Sequence, residues 1–518
     1  MSAPPAQVSQ TLADLPGGPV LVLVERGIAV PGWLTSGSLA GRVRPVVGRR
    51  RERRLSRRLK PAAIIDLRTA TPASLALLWA LRARGAYVAA PGTVGLAPGL
   101  RRAHRPRRPS RERLRELRRA TRLVEEVDGW LVARKRVPHL LQLTRDDVAR
   151  TLSARAHDLA VTTLATLPAG RFASGRVRMH GEGPDLGVDA EIGHPELAVH
   201  RYDGPVDLLG GGALVVAGGC VLPESFRWYD ARPLEHFRLA DVGGGFARLK
   251  RRSRPAQRLV GSYFFFDYSN AGHYGHLLTE AVPRLWAWDL AKQDDPSLKI
   301  LLRAREHDVN RPMGRPDPEL LEAFGIAPDD IAWFHGAARV DALVGAPAMW
   351  HNAPPYHAHP RLVETWDRIR TGLIGDRRGQ HARIFVTRSA GGRPCRNTPE
   401  VEHLFAAHGF TVVDPGELSR ADQALVFAGA EVVAGFGGTG MFNLAFAPDV
   451  RHVMLLNHAA YQARNEHLFA AVRGADLDYF WSEPDIVGES YEAHQSGWEF
   501  DLARHEQALV RLLEGGRA

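Results

Sequence analysis

Three segments of this 518-residue chain combine residue types and spacings able to do chemistry. In the first, Gly275 leads into a run in which His276, Glu280 and Arg284 recur every four residues. That spacing puts them on one face of a helix, with Leu277, Leu278, Ala281 and Leu285 on the buried side. A histidine one turn from a glutamate suits general-base work, the carboxylate fixing the imidazole tautomer. The plain alternative is a surface ion pair. In the second segment the strand-like run 383–387 delivers Arg388, and a Gly-rich loop then carries Arg393 and Arg396. Guanidinium groups at the carboxyl edge of a sheet neutralise a diphosphate through forked hydrogen bonds; a solvated basic loop would read the same. In the third, the strand-like run 431–434 enters Gly435-Phe436-Gly437-Gly438-Thr439-Gly440-Met441-Phe442-Asn443. Glycines that open a helix present backbone N–H groups and a favourable dipole to an anion.

Gly435, Gly437 and Gly440 also spell G-x-G-x-x-G, the dinucleotide fingerprint. That fingerprint needs an acid at the end of the following strand, about 20 residues on. Asn457 follows His452-Val453-Met454-Leu455-Leu456 instead, so a nicotinamide or flavin site is disfavoured; a purely structural tight turn stays open. The segment from His351 to His359 holds three histidines but is Pro-rich and lacks carboxylates, which argues for a loop near an acceptor rather than a metal site.

The elements that must position these residues read as α/β. Strands are expected at 19–24, 62–66 and 86–89, with a helix from Thr71-Pro72 to Arg84. A helix capped by Ser110 is expected to run through Leu114, Leu117, Val124 and Val127, and another over 144–156. Residues 1–17, rich in Pro, Ala, Ser and Gln, read as disordered. Short strands separated by glycine follow from about Gly204, and helix–strand alternation from His273.

The formal charge of +11 is concentrated. Residues 42–60 hold ten Lys/Arg against Glu52, and residues 101–122 hold eleven Arg against Glu112 and Glu116. No RNA-binding aromatic signature accompanies either block, so nucleic acid is not the expected partner. The two readings are a solvated arginine-rich surface and contact with an anionic membrane face. Two cysteines, Cys220 and Cys395, make neither a disulfide framework nor a metal cluster. With no signal-peptide pattern and no apolar run long enough to span a bilayer, a cytoplasmic location is expected, peripheral at the inner face of the cell membrane if the basic blocks bind lipid.

Taken in order, the three segments resemble glycosyltransferase family 61 over about residues 200–485. Gly275-His276-Leu277-Leu278, Glu280 and Pro283-Arg284-Leu285 match its G-H-[WFL]-L…[DE]…P-R-L helix. Thr387-Arg388, Arg393 and Arg396-Asn397 match its [ST]-R strand end and Arg-rich loop, and Asp422-Gln423 its short acidic-Gln helix. Gly435 to Asn443, then Phe446-Ala447-Pro448, match its glycine loop, except that the family's loop histidine falls at Gly437, or at Phe436 if aligned on the first glycine.

The resemblance implies a GT-B-like pair of Rossmann-like lobes preceded by an extra N-terminal α/β region. The divisions would be a disordered 1–17, a basic region of unknown role at 18–195, an acceptor-side lobe at 196–375 and a nucleotide-sugar lobe at 376–518 whose last helix crosses back. It implies an inverting, metal-independent transferase, of the kind that builds capsular polysaccharide, using no cofactor. His276 or Glu280 would be the base. Arg388, Arg393, Gly437, Gly438, Thr439, Gly440 and Asn443 would hold the donor diphosphate. The partners would be a nucleotide-sugar donor and a glycan or lipid-linked acceptor. The absent loop histidine keeps a catalytically silent nucleotide-sugar- or glycan-binding protein open as the alternative, and the arginine blocks a bare anion-binding scaffold.

Overall fold

The computed structural model describes residues 4–69, 74–93, 112–184, 186, 190–210, 212–251, 253–304, 315–389 and 391–515. It divides into two compact units, one of residues 1–162, 202–260 and 336–342, the other of 163–201, 261–335 and 343–518. The chain is mixed α/β throughout.

In the first unit, strands Val43–Val46, Val20–Leu23, Ala63–Asp66 and Ala86–Ala89 lie side by side in that order and run parallel. Three of them are buried at every position, as expected of a parallel sheet covered on both faces. Glu52, the one acid of the first basic block, is buried. It pairs with Arg68, whose Nε also meets Asp66 at 3.1 Å, and this network docks helix Arg49–Arg58 on the sheet. Arg49, Arg50, Arg51, Arg53 and Arg54 are left exposed.

Three sequence expectations in this unit need correction. Residues 6–13, within the stretch read as disordered, form a helix that buries Val8, Thr11 and Leu12, positions spaced for one helical face. The helix expected over 71–84 spans Leu75–Ala80, and Thr71 and Pro72 lie outside the described residues. The helix expected through Val127 is Glu112–Ala120 followed by strand Thr121–Val127; Ser110 and most of the second basic block also lie outside the described residues. The signal for the strand was Asp128-Gly129. Both residues have positive φ, 48° and 78°, and they close a hairpin onto strand Trp130–Lys135.

The second unit holds a six-stranded parallel sheet in the order 177–180, 476–482, 452–458, 432–436, 383–386, 411–413. Counted from strand 383–386, its last five strands follow the doubly wound order 2-1-3-4-5. The order reverses between strands 383–386 and 432–436, and the crevice outside their carboxyl ends is where such sheets bind ligands. Strand Gln257–Phe265 pairs in parallel with Lys299–Arg303, which pairs in parallel with Ile331–Phe334, and its end leads through Phe266 and Asp267 into the His276 segment. Helix Leu502–Gly515 packs on the 383–482 sheet. Leu509 and Leu513 join Phe385, Phe405 and Phe480 in one apolar cluster, and Arg383 bonds the Leu513 carbonyl at 2.9 Å.

Candidate functional site

Arg388 follows strand Arg383–Val386, and Gly437 follows strand Val432–Phe436. The two therefore flank the point where strand order reverses. Around them lies a cavity of about 320 Å³ whose lining includes Tyr274, Arg388, Arg393, Arg420, Thr439 and Gly440. The strands approach closely because Gly435 has no side chain: a Cβ there would stand 2.4 Å from the Val386 carbonyl oxygen.

The glycine loop works differently from a simple row of free N–H groups. The Gly437 N–H donates to the Leu456 carbonyl at 3.1 Å. Its own carbonyl accepts Arg388 Nη1 at 3.2 Å and Arg393 Nη2 at 3.4 Å, so this residue gathers both guanidinium groups. Gly438 has φ 144° and ψ −168° and caps the eight-residue 3-10 helix Thr439–Phe446. Only glycine adopts that backbone readily. A Cβ on Gly438 would stand 2.9 Å from Arg393 Nη2 and 3.2 Å from Arg388 Nη1. The Gly438 N–H donates to Glu466 Oε1 at 2.8 Å and is not offered to a ligand. Thr439 and Gly440 are the first residues of the helix, where N–H groups have no intrahelical acceptor.

Glu466 is the functional candidate that sequence reasoning missed. It is fully buried beneath the loop and also accepts the Tyr461 hydroxyl at 3.1 Å. Burial pushes its carboxyl up to about 7, against the pull of Arg393, Tyr461 and the Gly438 N–H. Arg393 stacks 4.2 Å from the Tyr461 ring centroid, bonds His494 Nε2 at 3.3 Å and holds the left-handed φ of 62°. Burial and the neighbouring Arg393 lower the Arg388 pKa. Two crowded, half-buried guanidinium groups form a site that an anion would stabilise. Arg396 lies apart from the cavity lining, exposed and paired with Asp485 at 2.6 Å.

Asn443 is a strut. It is fully buried. Its Oδ1 accepts the Tyr274 hydroxyl at 2.8 Å, and its Nδ2 donates to Gln423 Oε1 at 2.9 Å and the Gly440 carbonyl at 3.1 Å. Its amide holds the loop, and it is one of the residues lining the cavity. Gln423 in turn donates to the Pro415 carbonyl at 2.7 Å, tying in helix Arg420–Ala428.

The His276 segment is not one regular α-helix. A short turn, Tyr274–His276, widens into a π-turn over Leu277–Ala281 and tightens into a 3-10 turn over Val282–Ala287. Pro283 carries no N–H for an α-helical ladder, and π-turns recur at functional sites. His276 and Glu280 meet all the same: His276 Nδ1 lies 2.5 Å from Glu280 Oε1. Glu280 Oε2 accepts the Ser269 N–H at 3.0 Å and the Ser269 hydroxyl. A carboxylate held by those donors takes the Nδ1 hydrogen of the imidazole and leaves Nε2 as the basic atom. Arg284 does not share their surface. It is buried, 4.9 Å from the Phe265 ring centroid, with Nε donating to the Glu280 carbonyl at 3.0 Å.

Gly275 fixes this segment on the glycine loop. A Cβ there would meet Thr439 Oγ1 at 2.9 Å and Phe442 Cε2 at 3.1 Å. Tyr274 thus lines the cavity two residues before His276; neither His276 nor Glu280 is among the lining residues. The segment from His351 to His359 makes a two-stranded hairpin in which the His351 and His357 rings stack 4.9 Å apart.

Residues 274–454 match the model of the family described as Glycosyltransferase 61. The matched stretch contains Tyr274, His276, Glu280, Arg388, Arg393 and the whole glycine loop, and stops short of Glu466. No curated protein matches the chain.

Proposed function

We propose that this chain, a family 61 glycosyltransferase over residues 274–454, is an inverting enzyme that moves a sugar from a nucleoside-diphosphate sugar to a hydroxyl of a polysaccharide, glycolipid or related glycan. The observation that carries the reading is the pair Arg388 and Arg393, gathered on the Gly437 carbonyl at the strand-order reversal and facing the start of helix Thr439–Phe446. Negative charge builds on the diphosphate as the sugar leaves, and fixed cations and N–H groups at that point lower the barrier. Arg388, Arg393 and the N–H groups of Thr439 and Gly440 take that role. His276 Nε2 removes the acceptor proton, with Glu280 holding the imidazole through Nδ1. The acceptor oxygen then attacks the anomeric carbon opposite the departing diphosphate. The scheme asks for no metal. In a GT-B reading, the donor belongs to the lobe at 376–518 and the acceptor to the side that carries His276.

The exposed arginines of helix Arg49–Arg58 support a peripheral role at an anionic cytoplasmic membrane face that presents a lipid-linked acceptor. Among the described residues, no helix is long and apolar enough to cross a membrane.

One observation favours the silent-binder alternative. A Cβ at Gly437 would stand 2.4 Å from Asn457 Nδ2, so the loop as packed has no room for the family's histidine there. Thermal shift with UDP-, GDP-, CMP- and dTDP-sugars tests the donor site. Stabilisation by one class, lost in Arg388→Ala, supports the reading; no response to any nucleotide sugar sinks it. Release of nucleoside diphosphate from the bound donor then separates enzyme from silent binder.

A further inference from the structure

A dinucleotide fingerprint built on the Gly435–Gly440 run would place its acid near the end of strand His452–His458, where Asn457 stands. The sheet order brings an acid to a different strand. Strand Arg383–Val386 is first in the doubly wound order, and Arg388 and Arg393 come after it. The next strand in the chain, Thr411–Val413, pairs with it in parallel and is followed directly by Asp414. An acid at the carboxyl end of that second strand is what holds the ribose in dinucleotide-binding sheets.

Asp414 lines the same cavity as Arg388 and Arg393, and it is the one acid among the described residues that do so. Along the carboxyl edge, Gly437 with its two guanidinium groups lies on one side of strand Arg383–Val386 and Asp414 on the other. Neighbouring strands are about 5 Å apart, so the acid and the gathered cations begin about 10 Å from each other. The Asp414 charge acts on Arg388, whose guanidinium is turned to the Gly437 carbonyl instead.

The carboxylate is half-buried and fixed in place. Its Oδ2 accepts the Ser389 N–H at 2.9 Å, from the loop that carries Arg393. Its Oδ1 accepts the Gly416 N–H at 2.8 Å and caps the 3-10 turn Pro415–Glu417. An ionised carboxylate has about two acceptor sites on each oxygen, so among the described residues each Asp414 oxygen keeps one site open. Both bonds lie in exposed surroundings, where a ligand in the cavity reaches the oxygens.

These open sites select by charge and by number. A phosphate is repelled by the carboxylate, and an ammonium by Arg388 and Arg393 beside it. Neutral O–H donors remain, and one open site on each of two joined oxygens matches hydroxyls on two joined carbons. A nucleoside diphosphate has the same order end to end: two anionic phosphates, the 5′-carbon, then a neutral vicinal diol.

We propose that Asp414 accepts the 2′- and 3′-hydroxyls of the donor's ribose. The site then takes ribonucleoside diphosphates and disfavours 2′-deoxy donors, dTDP-sugars among them. The proposal rests on the donor reading of the Arg388–Arg393 cavity and narrows it to one class of nucleotide.

Calorimetric titration of the full chain with UDP and 2′-deoxy-UDP, and with GDP and 2′-deoxy-GDP, tests it. Loss of the 2′-hydroxyl should weaken binding to the wild type about 10-fold, the worth of one hydrogen bond to a charged group. In Asp414→Ala the ribo and deoxy ligands of each pair should bind alike. Arg388→Ala should weaken both members of a pair and leave their ratio unchanged. The ratio separates contact from structure, since a carboxylate that only ties Ser389 to Gly416 would affect both ligands equally. Equal binding of the ribo and deoxy ligands by the wild type, or a preference that survives Asp414→Ala, overturns the proposal. So does an Asp414→Ala that weakens a UDP-sugar and spares UDP, which would assign the carboxylate to the transferred sugar. In each of those cases Arg388→Ala still weakens UDP or GDP and the donor reading stands; absence of any nucleoside-diphosphate binding sinks both. The comparison of ribo and deoxy ligands uses the unmutated chain, so it stands even if Asp414→Ala fails to fold.

Discussion

Glu466→Gln removes one ionisation and keeps an oxygen in place for the Gly438 N–H and the Tyr461 hydroxyl. The carboxyl sits at about 7 in the fold against 4.5 in the unfolded chain, raised by burial. Below the lower value both states hold the proton, and the group has no effect on stability. Between the two values the native state keeps a proton that the unfolded chain has released, so stability falls as pH rises. Above the higher value both are ionised and the loss is complete. The whole shift corresponds to about 3 kcal/mol, or about 5 °C in Tm for a unit of this size. Arg388, Arg393, Tyr461 and Tyr479 are the charged or titratable groups coupled to this carboxyl, and all are present in both proteins. Subtracting the wild-type melting curve from that of Glu466→Gln therefore isolates its titration. The variant should gain on the wild type by most of that amount between about pH 5 and about pH 8. A gap that stays flat across that range, or that closes as pH rises, refutes the buried-carboxyl reasoning.

Arg388→Ala should weaken nucleoside-diphosphate binding about 10- to 100-fold, the worth of one charged hydrogen bond, with the ligand-free Tm little changed; calorimetric titration reads this. Asn443→Ala strands the Tyr274 hydroxyl and the Gln423 carbonyl and should cost about 3 kcal/mol, seen as a lowered Tm without ligand. Replacing Arg49, Arg50, Arg51, Arg53 and Arg54 by Gln should abolish flotation with anionic vesicles, each arginine being worth about 1 kcal/mol there. Flotation of the wild type that ignores salt and anionic lipid sinks the membrane role.

Much of the site was legible because its residues sit at strand ends and in glycine runs. Arg388 follows one short apolar strand and the glycine run continues another, so both could be assigned to the carboxyl edge of a sheet from local pattern alone. The His276–Glu280 pairing was legible from spacing, although the π-turn that carries it was not: Pro283 signals an interrupted ladder without saying which turn replaces it. Glu466 was illegible. It lies in a helix with no motif, and its partner, the Gly438 N–H, is 28 residues away in sequence. The same contact explains why the loop was misread, since a glycine N–H looks free until a buried carboxylate is known to hold it. In the first unit a helical period is read through Val124 and Val127, although the Asp128-Gly129 turn that follows closes a hairpin and makes residues 121–127 its strand, an error of weighing periodicity above turn chemistry.

The central claim is that Arg388 and Arg393 hold a nucleotide-sugar diphosphate while His276 activates an acceptor. The most direct measurement is release of nucleoside diphosphate from a panel of nucleotide sugars by the wild type, His276→Ala and Arg388→Ala, with donor binding followed in parallel. The account predicts release from one donor class by the wild type. His276→Ala should bind that donor with unchanged affinity and release nothing above background, and Arg388→Ala should weaken the binding itself about 10- to 100-fold. Donor binding that survives Arg388→Ala intact, or release that survives His276→Ala, contradicts it.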